Sequence, residues 1–325
     1  MNNRRKLVIA LGTSALTAPF ASWAQSQTKV WRIGILLTGS STSSGYQIAA
    51  FLNGMEKLGY AEGNNIALLL RFGEGKIDRL PMLAADLVAR NVDIIFTSTT
   101  PATRAAKQAT ASIPIVFGSA GDPVAAGLVA SLAKPGGNVT GLSVIAADLA
   151  AKRLEILKEI VPKIARIVLF VSGATPQQVA EVERAVKSLG MQALVVQLER
   201  PDDVKRVAMR LKEWHADSIF FLDSGLNMSN RTLLGDLAVA TGLPAISSSK
   251  QYPEAGVLIS YGANLEANYN RAATYVDKIF RGTKPGDIPI EQPTKLETVI
   301  NLRTAKALGI KIPSSILVQA TTVIE

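Results

Sequence analysis

The chain has no cysteine and a single histidine, His215. Without cysteine there is no disulfide framework and no thiol to carry a lipid anchor. One histidine and no thiol leave a transition-metal site or a histidine-dependent triad short of members. Aromatic residues make up only 6% of the sequence. There is also no zinc-finger spacing, basic run or aromatic RNA motif, so nucleic acid is not an expected partner. No Walker-type lysine loop is present, which excludes ATP hydrolysis by this chain. The glycine pair in AKPGGN (133–138) follows a helical stretch and not a strand, so it reads as a turn and not a dinucleotide fingerprint. No convergent set of acid, base and nucleophile stands out, no cofactor or metal is expected, and the chain does not read as an enzyme.

The N-terminus is of a different kind. Arg4, Arg5 and Lys6 precede an apolar, small-residue stretch over 7–20, and Ser22 and Ala24 flank Trp23 just before Gln25. That pattern predicts a secretory signal peptide over residues 1–24, too short and wrongly flanked for a membrane span. The arginine pair also resembles a twin-arginine signal, and ordinary Sec export remains open. No later run is long and apolar enough to cross a bilayer. The expected location is the periplasm, without a lipid anchor. The three basic residues of the leader belong to the formal net charge of +9. Elsewhere bases are interleaved with acids, as in KRLEILKEIVPK (152–163), which reads as a solvated helix face with Glu155 and Glu159 at i,i+4 spacing.

What is abundant is alternation of strand and helix. Apolar runs at 30–37, 65–72, 93–97 and 113–117 read as strands buried on both faces, and 139–144 as a fifth. Amphipathic helices are expected at 46–58 and 79–90, with others opening after Thr100 and Asp122. A long helix over 149–160 leads into a second series. Its strands fall at 166–171, 192–198, 218–222 and 244–247, and its helices at 177–189, 201–214 and 231–241. The tail adds an extended run at 255–261, a helix at 265–281, a strand at 296–301 and a helix at 302–308. Repeated βαβ units imply parallel sheets with helices on both faces. Two such series over about 300 residues imply two Rossmann-like lobes facing each other across a cleft. The boundaries expected are residues 29–144 plus 257–286 for lobe 1, and 145–256 plus 287–325 for lobe 2.

The stretch 92–143 carries the densest functional signal. Strand 93–97 ends in Ser98, Thr99 and Thr100 before Pro101; strand 113–117 ends in Gly118, Ser119, Ala120 and Gly121 before Asp122 and Pro123. A hydroxyl or carboxylate cap followed by proline is a helix start. Two such turns at the carboxyl ends of neighbouring parallel strands surround one crevice, where open α/β sheets bind ligands. Helix N-termini there favour an anionic group. The same Ser and Thr residues also serve as plain helix caps, and Asp122 reads as a cap before it reads as a contact. Ser40 and Ser41, in the hydroxyl-rich loop TGSSTSS after the first strand, and Ser143, at the end of the fifth, are further candidates. On the second lobe, Ser172–Gly173 and the run 247–249 occupy equivalent loops.

Longer phrases carry a resemblance: LGYAEGNNI (58–66), GKIDRLPMLAADLVARNVDII (75–95), TPATRAAKQATASIPIVF (100–117), GDPVAAGLVASLAKPGGNVTGLS (121–143), LISYGANL (258–265), RAATYVDKIFRG (271–282) and PIEQPTKLETVINLRTAKALGIKIP (289–313). Together with RIGILL (32–37), and so spread from residue 32 to 313, they are similar to the ABC transporter substrate-binding proteins whose better-known members bind tryptophan and other aromatic amino acids. The resemblance implies a type I periplasmic-binding fold with three hinge strands. It implies capture of a small solute and its delivery to an inner-membrane ABC permease, with the binding protein a monomer. Hinge closure around the ligand follows from the same resemblance. An amino-acid-like ligand would place its carboxylate on Ser98, Thr99 and Thr100, with Ser119 and Gly121 assisting. Its ammonium would meet Asp223 in FFLDSG, a residue that also suits a turn cap. Tyr261 in SYG would cover the ligand or pack between lobes. The loop VSGATP (171–176) lacks the Asn-Pro pairs of many relatives, so side-chain specificity is open. A periplasmic sensor subunit on the same fold is the alternative function.

Overall fold

A computed structural model describes residues 29–144, 146–171, 176–197, 203–222, 227–228, 230–293 and 296–325. The expected leader, Asp223 and the loop Ser172–Gly173 lie outside them. Two sheets organise the chain. The first contains β1 (Trp31–Leu37), β2 (Ile66–Phe72), β3 (Ile94–Thr97), β4 (Ile115–Ala120) and β5 (Val139–Ser143), all parallel, in the order β2-β1-β3-β4-β5. The second contains β6 (Arg166–Val171), β7 (Gln192–Gln197), β8 (Ser218–Phe221), β9 (Ala245–Ser247), β10 (Ile259–Ala263), β11 (Leu296–Asn301) and β12 (Thr322–Ile324). Its order is β12-β11-β10-β9-β8-β6-β7, with only the β10–β11 pair antiparallel.

The continuous apolar runs have the meaning that period two gives them. On the first sheet Ile33, Ile35, Leu37, Ile94 and Phe96 enter one core, while Leu36, Ile95 and Phe117 enter the core on the other face. On the second, Ile167, Leu169 and Phe220 face one layer and Val168, Phe170 and Phe221 the other. Strands buried on both faces need helices on both sides, which parallel crossovers supply.

Those helices are α1 (Gly45–Lys57), α2 (Leu80–Ala89), α3 (Thr100–Ala109), α4 (Ala146–Ile160), α5 (Pro176–Ser188), α6 (Asp203–Glu213) and α7 (Arg231–Thr241). Shorter ones follow at α8 (Gln251–Glu254), α10 (Leu302–Ala307) and α11 (Ser314–Gln319), on either side of the long α9 (Leu265–Phe280). Helix α1 stops where the sequence places Gly59, which takes a φ of 85° and returns its N–H to the Glu56 carbonyl.

The helix expected from Pro123 is not formed. Residues 123–127 make a single turn, because Gly127 enters the left-handed region at φ 67° and Leu128 N–H closes back on the Pro123 carbonyl. Strand β4 runs three residues past Phe117, with a register shift against β5 between Phe117 and Ala120. Gly118 in that shift lies against the ring of Tyr269, where a Cβ would come within 2.4 Å of Cδ1.

The chain passes between the sheets three times: after Val144, at Asn264, and between Pro293 and Leu296. Strand β10, which the sequence reading grouped with the first lobe, hydrogen-bonds to β9 and β11 in the second sheet. The helix after it packs on the first. Tyr269 and Tyr275 of α9 are fully buried there, and Phe280 stacks on Trp31 at 4.0 Å. Residues 286–291 then run beside β5: Thr140 Oγ1 donates to the Ile288 carbonyl (2.8 Å) and Ser143 N–H to the Glu291 carbonyl (2.9 Å).

The α1–α9 crossing is tight because Gly54 is its contact point. A Cβ at Gly54 would sit 2.3 Å from the Asn270 carbonyl oxygen and 2.8 Å from the Ala273 Cβ. Gly54→Ala is expected to destabilise the protein by roughly 1–3 kcal/mol, the usual cost of overpacking, read as a lower melting temperature. Gly45→Ala in the same helix, with no atom within 4 Å of the new Cβ, is the control and should not lower it.

Candidate functional site

At the carboxyl ends of β1, β3 and β4 a ladder of hydroxyls forms. Thr99 is the N-cap of α3, extended at φ −140° and ψ 159°, and its Oγ1 receives the Ala102 N–H at 3.5 Å. The same oxygen lies 2.6 Å from Thr38 Oγ1 in the loop after β1. One residue on, Thr100 Oγ1 accepts the Gly121 N–H at 3.3 Å from the loop after β4. Below them Thr97 Oγ1 lies 2.8 Å from Thr103 Oγ1, which is also within 2.8 Å of the Thr99 carbonyl. Three adjacent strand ends are thereby fixed to one another by side chains of β-branched residues, whose few rotamers make the geometry stiff.

The expected first-lobe residues fall unevenly on this ladder. Thr99, Thr100 and Gly121 are members, and Ser98 and Ser119 are neighbours, Ser98 fully buried and Ser119 half-buried. Ser143 is buried, with its N–H on the Glu291 carbonyl. Ser40 is turned into its own loop, where its hydroxyl is 3.0 Å from Ser43 Oγ and accepts the Ser43 N–H at 3.1 Å; Ser41 is exposed. Asp122 caps its turn through Val124 N–H (3.0 Å) and Ala125 N–H (2.9 Å). With no helix behind it, the second loop offers no helix dipole at this edge.

On the second lobe, Tyr261 is half-buried against the core of the second sheet, and its carbonyl accepts Arg153 Nε–H at 2.7 Å. Arg153 itself was read from the sequence as part of a solvated face, yet it is only 6% exposed. Glu155 and Glu159 on the same helix are exposed as expected.

The crossing at Asn264 carries charge. Asn264 Oδ1 caps α9 by accepting the Ala267 N–H (2.8 Å), and its Nδ2 donates to Glu297 Oε2 on β11 (3.0 Å). Lys250 Nζ pairs with Glu266 at 2.9 Å. Burial holds the Glu297 carboxyl above the usual glutamate range; Lys250 opposes this, while Glu266 and Glu254 add to it. For Lys250, burial acts downward but the bond to Glu266 and the field of the nearby carboxylates outweigh it, so its ammonium titrates above the ordinary value.

Sequence reasoning left Asn264, Gln47, Asn268 and Gln251 without a role and set Arg153 on a solvated face. Gln47 Oε1 in the first turn of α1 and Asn268 Nδ2 in the first turn of α9 are buried and have no hydrogen-bond partner in the protein. Their only signal in the sequence is a polar residue where an amphipathic helix needs an apolar one. The hydroxyls of Ser247, Ser248 and Ser249 and the Oε1 of Gln251, at the carboxyl end of β9, are in the same condition.

Folded protein binds the Glu297 proton more tightly than unfolded chain does. Its contribution to stability is therefore greatest at low pH and falls as pH rises from the ordinary glutamate pKa through the raised one. Glu297→Gln, which cannot ionise, should melt at a higher temperature than the wild type at pH 7. The gap should close near pH ~3, below the ordinary glutamate pKa of about 4.3. A gap that persists at low pH would deny that ionisation is its cause.

Comparison with known proteins agrees with this architecture. A tyrosine-binding protein of Clostridioides difficile (strain R20291) is 28% identical over 265 residues, 80% of this chain and 76% of that one. A conserved domain protein from Vibrio cholerae O1 biovar El Tor has a solved structure that superposes with a TM-score of 0.84 at 26% identity, covering 91% of this chain and 100% of that one. An ABC domain from Streptococcus pneumonia, solved in complex with L-Trp, gives 0.83 at 24% identity, again over 91% and 100%. A ligand-free, open substrate binding protein from Clostridium difficile gives 0.63 at 26% identity, over 91% and 99%. Matched by the family model over residues 33–324, the chain belongs to the ABC transporter substrate binding proteins.

Proposed function

We propose that this protein captures a small carboxylate-bearing solute, an amino acid and by preference an aromatic one, and presents it to an ABC permease. The observation that carries the reading is the hydroxyl ladder at the N-terminus of α3, where Thr99 and Thr100 join three strand ends. A carboxylate there would receive hydrogen bonds from neutral hydroxyls and would gain from the dipole of α3. Ser98, Ser119 and Gly121 complete that side. Asp223, which follows β8 in the sequence, is the proposed partner of the ammonium from the other lobe.

The relatives support the ligand class: one is named for tyrosine and another holds L-Trp. Closure of the two lobes on three crossings is the proposed capture step. This chain superposes far better on the L-Trp complex than on the open, ligand-free relative, with TM-scores of 0.83 and 0.63 at nearly equal identity. That is the contrast expected if relatives of this fold differ mainly by lobe rotation. A division into two lobes at the three crossings, the leader over residues 1–24, a periplasmic location and a monomeric state complete the proposal.

A solute that binds only the native state raises the melting temperature, by about 2.7 kcal/mol of stabilisation at a hundredfold excess over Kd. L-Trp, L-Tyr or L-Phe is expected to produce such a shift in the protein lacking residues 1–24, and Asp223→Ala to remove it. Shifts by carboxylic acids without an amino group, equal in wild type and Asp223→Ala, would take the ammonium role from Asp223. No shift with any amino acid or small carboxylate would contradict the reading.

A further inference from the structure

The unpartnered oxygens at the end of β9 are unusual in their concentration. Ser247 is 0%, Ser248 5%, Ser249 1% and Gln251 6% exposed, and the side-chain oxygen of each lacks a hydrogen-bond partner in the protein. A buried polar atom left unpaired costs roughly 1–3 kcal/mol, and native proteins keep few of them. Four within five residues are an expense that folding does not explain. Backbone needs do not explain them either: the Ser249 carbonyl already accepts the Tyr252 N–H (3.2 Å), and Gly262 approaches the Ser248 carbonyl so closely that a Cβ there would lie 2.1 Å from it. The segment is thus pinned by its main chain while these four side-chain oxygens are left unpaired.

The position is informative. Strand β9 is parallel to β8 and β10, so residues 247–251 lie at the carboxyl end of the second sheet, where its ligand loops belong. The charge nearest in sequence, Lys250, is committed to Glu266. What remains is neutral: three hydroxyls able to donate or accept, and one carboxamide oxygen able only to accept.

Resting on the solute-binding reading above, we infer that Ser247, Ser248, Ser249 and Gln251 form the second lobe's specificity wall. The wall takes an uncharged hydrogen-bond donor on the solute, a hydroxyl, phenol or carboxamide, in preference to bare hydrocarbon. A site built to pair such a group rejects the analogue that lacks it, because its own buried atoms then stay unpaired. The first lobe fixes the carboxylate; this wall reads the far end of the ligand.

The test uses solutes that differ by one hydroxyl, namely tyrosine with phenylalanine, threonine with valine, and 4-hydroxybenzoate with benzoate, measured by calorimetry and thermal shift. In the wild type the hydroxylated member of the pair that binds should be favoured by roughly tenfold or more, the scale of one buried hydrogen bond. The variant Ser247→Ala/Ser248→Ala/Ser249→Ala should lose that preference while its ligand-free form melts no lower than the wild type, since it sheds unpaired polar atoms. Ser218→Ala is the control. Its hydroxyl is equally buried and unpaired, but it lies at the start of β8, away from the ligand loops, and its removal should leave the preference intact. Equal affinity within the pair that binds, or a preference that survives the triple substitution, overturns the wall while solute binding stands. No binding by any amino acid or carboxylate overturns the solute reading, and the wall with it.

Discussion

Asn264 spends both ends of its amide at once. The oxygen caps the helix that returns to the first sheet, and the nitrogen holds a carboxylate on a strand of the second. Every buried contact of α9 depends on that turn being made in one residue. The Gly54 crossing, the burial of Tyr269 beside Gly118, and the Phe280–Trp31 stack all follow from the direction in which α9 leaves Asn264. An amide suits the position because it offers one acceptor and two donors without charge. An aspartate could still cap the helix, but it would set a second negative charge against Glu297.

Around this turn the two lobes are built on one plan with different finishing. The first sheet is wholly parallel, and its carboxyl edge is stiffened by the Thr38–Thr99 hydroxyl link and by the Gly121 N–H on Thr100 Oγ1. The second gains an antiparallel pair, because the chain returns from the first lobe into β11 beside β10. Stiffness on one side and unpaired polar atoms on the other suit a division of labour, in which one lobe fixes an invariant group of the ligand and the other reads the variable one. Under the proposed closure that division would add affinity to the closed state alone, since the second set of bonds would form only when the lobes meet.

Much of this was legible in the sequence. The double-sided strands showed as unbroken apolar runs, and helices such as residues 231–241 fall where caps, periodicity and glycine place them. The ladder residues Thr99 and Thr100 stood out because a hydroxyl cap before proline is a local signal. Signals that depend on distant parts of the chain were not legible. Arg153 sits in a run that looks amphipathic, and only the carbonyl of Tyr261, brought over by β10, reveals it as buried. The turn after Asp122 carries a helix start but ends at once, since the early Gly127 closes it. Residues 247–249 read as a second-lobe loop equivalent to the candidate ligand loops; that they are buried is not visible in the sequence.

The central claim is that two lobes joined at three crossings close on a solute held between their strand ends. Solution X-ray scattering of the protein lacking residues 1–24 measures it most directly, with and without an aromatic amino acid whose binding calorimetry has established. The account predicts a smaller radius of gyration when the solute is bound. An unchanged radius at full occupancy would contradict it.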